Sequence, residues 1–336
     1  MTPALELFEP QGTSTSGERM QGAVLLAIAA SFCTAAASLA QRQGAKSVQT
    51  TGGFDARLLL RLARRPVWVL GIVAMIGGFV FQLTALRYGP LALVQPILSL
   101  ELLLVFGFLA LAGRRRTRIK LRDWLGAAAM TAGVAVFLRL ASPSGGRPHA
   151  AGSSWVLAGL VTLGVVVSAV AVAFGTGNRA SASPSRRAAV LGSATGIAWG
   201  FVAAVIKELS SHLGDGLGAI FSTWSLYVLL AVGAATMLLA SHALAAGPLA
   251  ASQPGFTILD PIAASLLGVF LFGEHIQTGP WDLAGEVLAL ALVAGGAAIL
   301  SRSCFILGDL GDPSCLPPKI QAQAASYQRE AHTARR

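Results

Sequence analysis

Stretches of about twenty apolar residues recur along the whole chain, and this recurrence limits the fold more than any other feature. A bilayer core about 30 Å thick needs roughly twenty helical residues, each rising about 1.5 Å. Nine segments meet that demand: 22–40, 66–86, 91–112, 124–140, 155–174, 188–209, 225–244, 249–272 and 281–300. Only 12% of the residues are charged and 54% are hydrophobic, whereas soluble domains carry about 25% charged residues. A water-facing surface for 336 residues cannot be built from so few charges. The expected class is an all-α polytopic membrane protein with about nine transmembrane helices, and its first partner is the lipid bilayer.

The net charge of +10 does not point to nucleic acid, because the basic residues form short clusters without interleaved aromatics. Cytoplasmic loops retain Lys and Arg, so the clusters report orientation instead. Six basic residues occupy 41–65 (Arg42, Lys46, Arg57, Arg61, Arg64, Arg65) and six more occupy 113–123 (Arg114, Arg115, Arg116, Arg118, Lys120, Arg122). Arg179, Arg186 and Arg187 follow the fifth span, and Arg302, Lys319, Arg329, Arg335 and Arg336 lie beyond the ninth. With nine spans and the N-terminus outside, 20 of the 25 basic residues fall in the cytoplasm. The expected location is the plasma membrane, multi-pass, with an extracytoplasmic extension at 1–21 and a disordered cytoplasmic tail at 301–336. Glu6, Glu9 and Glu18 precede the first span without the basic region of a signal peptide, so that span is expected to be retained; Met20 is an alternative start. Cys33, Cys304 and Cys315 make no disulfide framework or zinc spacing.

The chain also repeats itself. Residues 85–96 read ALRYGPLALVQP and residues 243–254 read ALAAGPLAASQP, with eight identities in twelve positions at an offset of 158. Each copy continues into an apolar span and then a span opened by a tryptophan, Trp124 or Trp281. The expected domains are a four-helix unit at 22–140, a linker with the fifth helix at 141–187, and a second four-helix unit at 188–300. Five crossings separate the two starts, so the units enter the membrane from opposite sides. Basic content agrees: the loop at 113–123 holds six cations, while its counterpart at 273–280 holds none. Inverted repeats commonly carry a substrate site at their interface near mid-membrane, although duplication can also simply build a stable bundle.

Ionisable groups at mid-membrane cost about 2.5–3.5 kcal/mol on insertion scales and call for a reason. Asp260 lies eleven residues into the eighth span and Glu101 ten into the third. At 100° per residue, Gln253, Thr257 and Asp260 share one stripe; Gln95 and Ser99 begin the same stripe in the first copy, with Glu101 about 120° away. Pro96, Pro254 and Pro261 are expected helix breaks that free carbonyls at Ala92, Ala250 and Thr257. A free carbonyl beside Asp260 would suit a proton, a cation or a substrate ammonium; a kink with Asp260 bonded to a neighbouring span is the alternative. Glu101 is a further candidate for the substrate or ion pathway, with structural pairing the favoured alternative. Gln82 either lines an entrance or bonds another helix. Lys207 is expected to snorkel to the surface, and Gly192, Gly196 and Gly200 to let a second helix approach closely.

The double GPLA..QP element, the WGFVAAVIK of the sixth span, and LLGVFLFGEHI followed by LAGEVLALALVAGGAAIL resemble the drug/metabolite transporter superfamily across roughly 22–300. Gly273 and Glu274 match the Gly-Glu turn before the last helix of EamA-type exporters. The nine spans look more like the branch that includes NIPA-type magnesium transporters. The first copy departs with LAGRRR where a Gly-Glu would stand. Its first helix offers Ser31, Thr34, Ser38 and Gln41 where small multidrug exporters of the superfamily use a carboxylate.

The resulting expectation is a secondary transporter of a small metabolite or ion, working by alternating access, with Gln95, Gln253, Thr257 and Asp260 along the path. A Mg²⁺ or other cation permease is one alternative, and a non-transporting scaffold or accessory subunit another. No enzyme, resident metal or cofactor is expected, because the spans carry neither converging catalytic groups nor a cofactor fingerprint.

Overall fold

In the computed structural model the described residues are 12–46, 64–111, 120–141, 145–174, 184–246, 249–275, 280–301 and 303. They form α1 (Gly12–Lys46), α2 (Pro66–Tyr88), α3 (Leu91–Leu98), α4 (Glu101–Leu111), α5 (Leu121–Ala141) and α6 (Gly152–Phe174). There follow α7 (Pro184–Ser211), a 3-10 turn (His212–Gly214), α8 (Leu217–Ser222), α9 (Trp224–Ala246), α10 (Leu249–Phe272) and α11 (Pro280–Ser301). Among the described residues, six helical stretches are long and apolar enough to cross a membrane: Gly17–Ala40, Pro66–Tyr88, Leu91–Leu111, Gly152–Phe174, Pro184–Gly214 and Trp224–Leu244. Shorter apolar helical stretches lie at Ile258–Phe272 and Ala284–Leu300.

Large apolar side chains project outward from these helices, including Leu70 (70% exposed), Leu160 (62%) and Leu238 (65%). Exposed apolar surface on this scale needs lipid or another protein to cover it. The interior is organised around α7, whose apolar window is 72% buried against 11% for α6. α7 packs most extensively on α10, and also on α9, α6 and α2.

Apolar burial gives little net attraction between helices already in lipid, so close backbone approach through small residues has to supply it. Gly192, Gly196 and Gly200 of α7 do this, as their spacing predicts. A methyl on Gly196 would strike Gly255 O, and one on Gly200 would stand 2.7 Å from Ala263 Cβ. A second glycine contact joins α5 to α11, where a methyl on Gly133 would stand 2.7 Å from Ala289 O.

Two expectations about helix breaks need correction. α10 runs unbroken through Pro254 and Pro261, because a proline removes one hydrogen bond while the packing of α10 on α7 holds the rest of the helix in place. The third apolar stretch instead divides between α3 and α4, three residues past Pro96. Its exposed carbonyls find new donors: Ser99 Oγ donates to Pro96 O at 2.6 Å, and Ser31 Oγ of α1 lies 3.1 Å from Ile97 O and 2.9 Å from its own Ala27 O. Gln95 and Glu101 therefore stand on separate helices, and the 120° offset between their stripes does not apply.

Candidate functional site

A heavily connected polar group lies at the end of the bundle where α2 meets α3 and α10 ends. Gly273, with φ of 63°, terminates α10 in a left-handed conformation that favours glycine. Gly273 N donates to Val269 O at 3.1 Å and Glu274 N to Gly268 O at 3.2 Å. This turn folds the Glu274 side chain back over Gly268, where a methyl would strike Glu274 Oε2.

The Glu274 carboxylate then caps α3. Leu91 N donates to Oε1 at 2.5 Å and Ala92 N to Oε2 at 2.9 Å. These N–H groups open a helix and have no intrahelical acceptor, and the helix dipole there favours an anion. Lys207 Nζ completes the arrangement, 2.9 Å from Glu274 Oε1 and donating to Gly89 O at 3.0 Å. Both side chains are buried, Lys207 at 8% and Glu274 at 0% exposure. The Lys207 ammonium also lies 5.3 Å from the centre of the Phe272 ring. The snorkelling expected of Lys207 is thus overturned: a carboxylate and a carbonyl within reach replace the water it would otherwise seek.

A short segment straps this end. Arg147 N donates to Phe272 O at 2.7 Å, and a methyl on Gly146 would stand 3.1 Å from Glu274 Cγ. Further along the strap, His149 Nδ1 stands 3.0 Å from Glu208 Oε1, and Ala150 N donates to Glu208 Oε2 at 3.3 Å. Trp155 continues inward with its ring edge-on to Phe201, Trp224 and Phe272, centroids 5.2 to 6.0 Å away. The strap and three helices thereby converge on one closed plug.

The residues singled out in the sequence are distributed differently. Asp260 lies in α10 with Oδ1 buried and without a hydrogen-bond partner among the described residues. Its backbone N and O lie against Gly196 and Gly200 of α7. Gln95 is buried in α3, which packs on α10. Glu101 accepts a hydrogen bond from Ser38 Oγ at 2.9 Å, the structural pairing weighed for it. Gln82 is half-buried on α2, and Pro96 and Pro261 are buried. The side chains of Gln253, Pro254 and Thr257 lie outside the described residues.

Sequence reasoning recognised Gly273–Glu274 as a motif and Lys207 as an ion, yet did not join them. One signal was available: a lone cation closing an apolar run is costly unless an anion lies at the same depth, and Glu274 lay on the same side of the expected topology, although the adjacent Glu208 was an equally open choice.

Neither a protein-family model nor a solved structure matches the chain. A protein of Corynebacterium glutamicum described as uncharacterized is 27% identical over 283 residues, covering 84% of this chain and 95% of that protein.

Proposed function

We propose that the chain is a secondary transporter of a small metabolite or ion in the cell membrane. In this reading it has nine spans, its N-terminus outside and its C-terminus in the cytoplasm, and moves substrate by alternating access between two inverted four-helix units. The observation that carries the proposal is the buried Asp260 carboxyl oxygen, halfway along α10, without a partner among the described residues. A structural acid in that position would be expected to have found a donor, whereas a binding group is kept for a cation, a proton or a ligand N–H.

Helix pairing supports the two-unit reading. The third helices of the units, α3 and α10, pack directly, as do the last helices, α5 and α11. Contact between equivalent elements is what a pseudo-twofold relation produces. The resemblance to the drug/metabolite transporter superfamily belongs to the same proposal. The plug formed by Lys207, Glu274 and the N-terminus of α3 would close the extracytoplasmic end, leaving access from the cytoplasm.

The test is flux. The purified chain is reconstituted in liposomes and presented with metabolites and cations, with and without a pH gradient. Substrate-dependent flux that Asp260→Asn abolishes supports the assignment, and flux unchanged in that variant removes Asp260 from the path. Saturable Mg²⁺ flux without metabolite flux would favour the cation permease, and no flux together with a stable co-purifying partner would favour the scaffold.

A further inference from the structure

A second polar cluster lies at the same end of the bundle, where the strap meets the end of α7, and the proposed transport path does not use it. His149 on the strap, Glu208 near the end of α7 and His212 in the 3-10 turn each place one ligand atom within 4.8 Å of the others. We infer that these three residues form a binding site for a first-row divalent cation of the zinc class.

The donor set is the first reason. Two imidazole nitrogens and one carboxylate oxygen suit Zn²⁺ and its neighbours, whereas Mg²⁺ and Ca²⁺ favour all-oxygen surroundings. Glu208 and His212 are four residues apart, about one turn of winding, across the junction of α7 with the 3-10 turn. His149 arrives from a separate segment and supplies the third direction.

Geometry is the second reason. Zinc–nitrogen bonds of about 2.0–2.1 Å in a tetrahedron put ligand atoms roughly 3.3 Å apart. His149 Nδ1 and Glu208 Oε1 are 3.0 Å apart and meet that spacing already. The His149 and His212 rings lie 5.0 Å apart between centroids, tilted at 51°. His149 is half-exposed, at 51% of its side chain, so it can rotate to close the remaining distance. A fourth position then remains open to water.

The surroundings favour an ordered site. Ala150 N on Glu208 Oε2 fixes the carboxylate. Asp215 Oδ2 stands 3.6 Å from His212 Nδ1, and a small rotation of this exposed side chain would, with coordination through Nε2, give the carboxylate–histidine arrangement that orients metal ligands. Two carboxylates, Glu208 and Asp215, supply negative charge. Of the cations nearby, Lys207 is turned toward Glu274, while the Arg87 guanidinium lies against Gly214, two residues from His212. A bound ion would tie the strap to α7, and the strap carries Gly146 against Glu274.

The probe is Zn²⁺ alone, titrated against a chromophoric chelator with the full-length protein in detergent, any affinity tag removed. Co²⁺ replaces it for visible spectroscopy. One Zn²⁺ per chain is expected, with an intense Co²⁺ ligand-field band of low coordination number. His149→Ala and His212→Ala should each weaken binding by roughly tenfold or more and abolish the band, while His242→Ala on α9 should leave both unchanged. Since His149 lies on an exposed segment, its variant should elute from gel filtration as the parent does, which separates loss of a ligand from loss of fold. Absence of stoichiometric Zn²⁺, or binding indifferent to His149→Ala, would overturn the site and leave a hydrogen-bonded His149–Glu208 pair alone. The readout involves no transport and is independent of the proposed function.

Discussion

Substitution of Lys207 by methionine isolates the energetics of the buried plug. Methionine keeps an unbranched side chain of similar length and removes the charge, so packing beside Phe272 is largely retained. Three interactions disappear: the ion pair to Glu274 at 2.9 Å, the hydrogen bond to Gly89 O at 3.0 Å, and the contact of the ammonium with the Phe272 ring 5.3 Å away. The Glu274 carboxylate, with 0% exposure, keeps only its two bonds from Leu91 N and Ala92 N. Removing one partner of a buried pair costs about 3–5 kcal/mol, because the remaining charge has no compensation. Glu274→Gln alone should also destabilise, since its amide NH₂ must face either a backbone N–H or the Lys207 ammonium. The double variant, Lys207→Met with Glu274→Gln, removes both charges and should lose clearly less than the sum of the singles, with a coupling of about 1–3 kcal/mol. Unfolding free energies in mixed detergent, taken for the parent, both singles and the double, close the cycle. A Lys207→Met protein as stable as the parent, or strictly additive losses, would refute a buried, energetically coupled pair.

Other residues offer independent checks. Gly196→Val should cost several kcal/mol and weaken the α7–α10 contact because its side chain would strike Gly255 O, whereas Gly77→Ala, with open space around it, should be neutral or stabilising by up to about 1 kcal/mol from helix propensity. Thermal unfolding followed by circular dichroism separates the two. Trp155→Ala should destabilise by about 3–5 kcal/mol through loss of its three edge contacts, measured by the same denaturation assay. Asp260→Asn should retain parental gel-filtration behaviour while losing substrate-dependent flux, and His149→Ala should lose Zn²⁺ while eluting as the parent does, with at most a modest loss of thermal stability from the missing contact to Glu208.

Much of the helical layout was legible because lipid makes one demand repeatedly. A backbone without water must bond to itself, and an apolar run of about twenty residues satisfies that as a helix. The stretch at 249–272 coincides with α10, and 66–86 differs from α2 by two residues at one end. Glycine spacing in α7 was equally legible, since three small residues four apart lie on one face and the near approach of Ser252, Gly255 and Ala263 follows. Proline was the less reliable guide. Pro254 and Pro261 are absorbed into α10, while the break after Pro96 depends on Ser99 and on Ser31 from a different helix. No single-segment pattern contains that second donor.

The candidate site divides along the same line. Asp260 was identifiable from depth and composition, which are local properties. The partnership of Lys207 with Glu274, and of His149 with Glu208 and His212, joins residues 67, 59 and 63 positions apart. Sequence by itself determined that the described segments are apolar helices, because that property follows from each segment's own solvent requirement. Tertiary structure alone decided which charge is neutralised, which carbonyls are taken up and which histidines meet, because a buried polar group is satisfied by whatever the fold brings within about 3 Å of it.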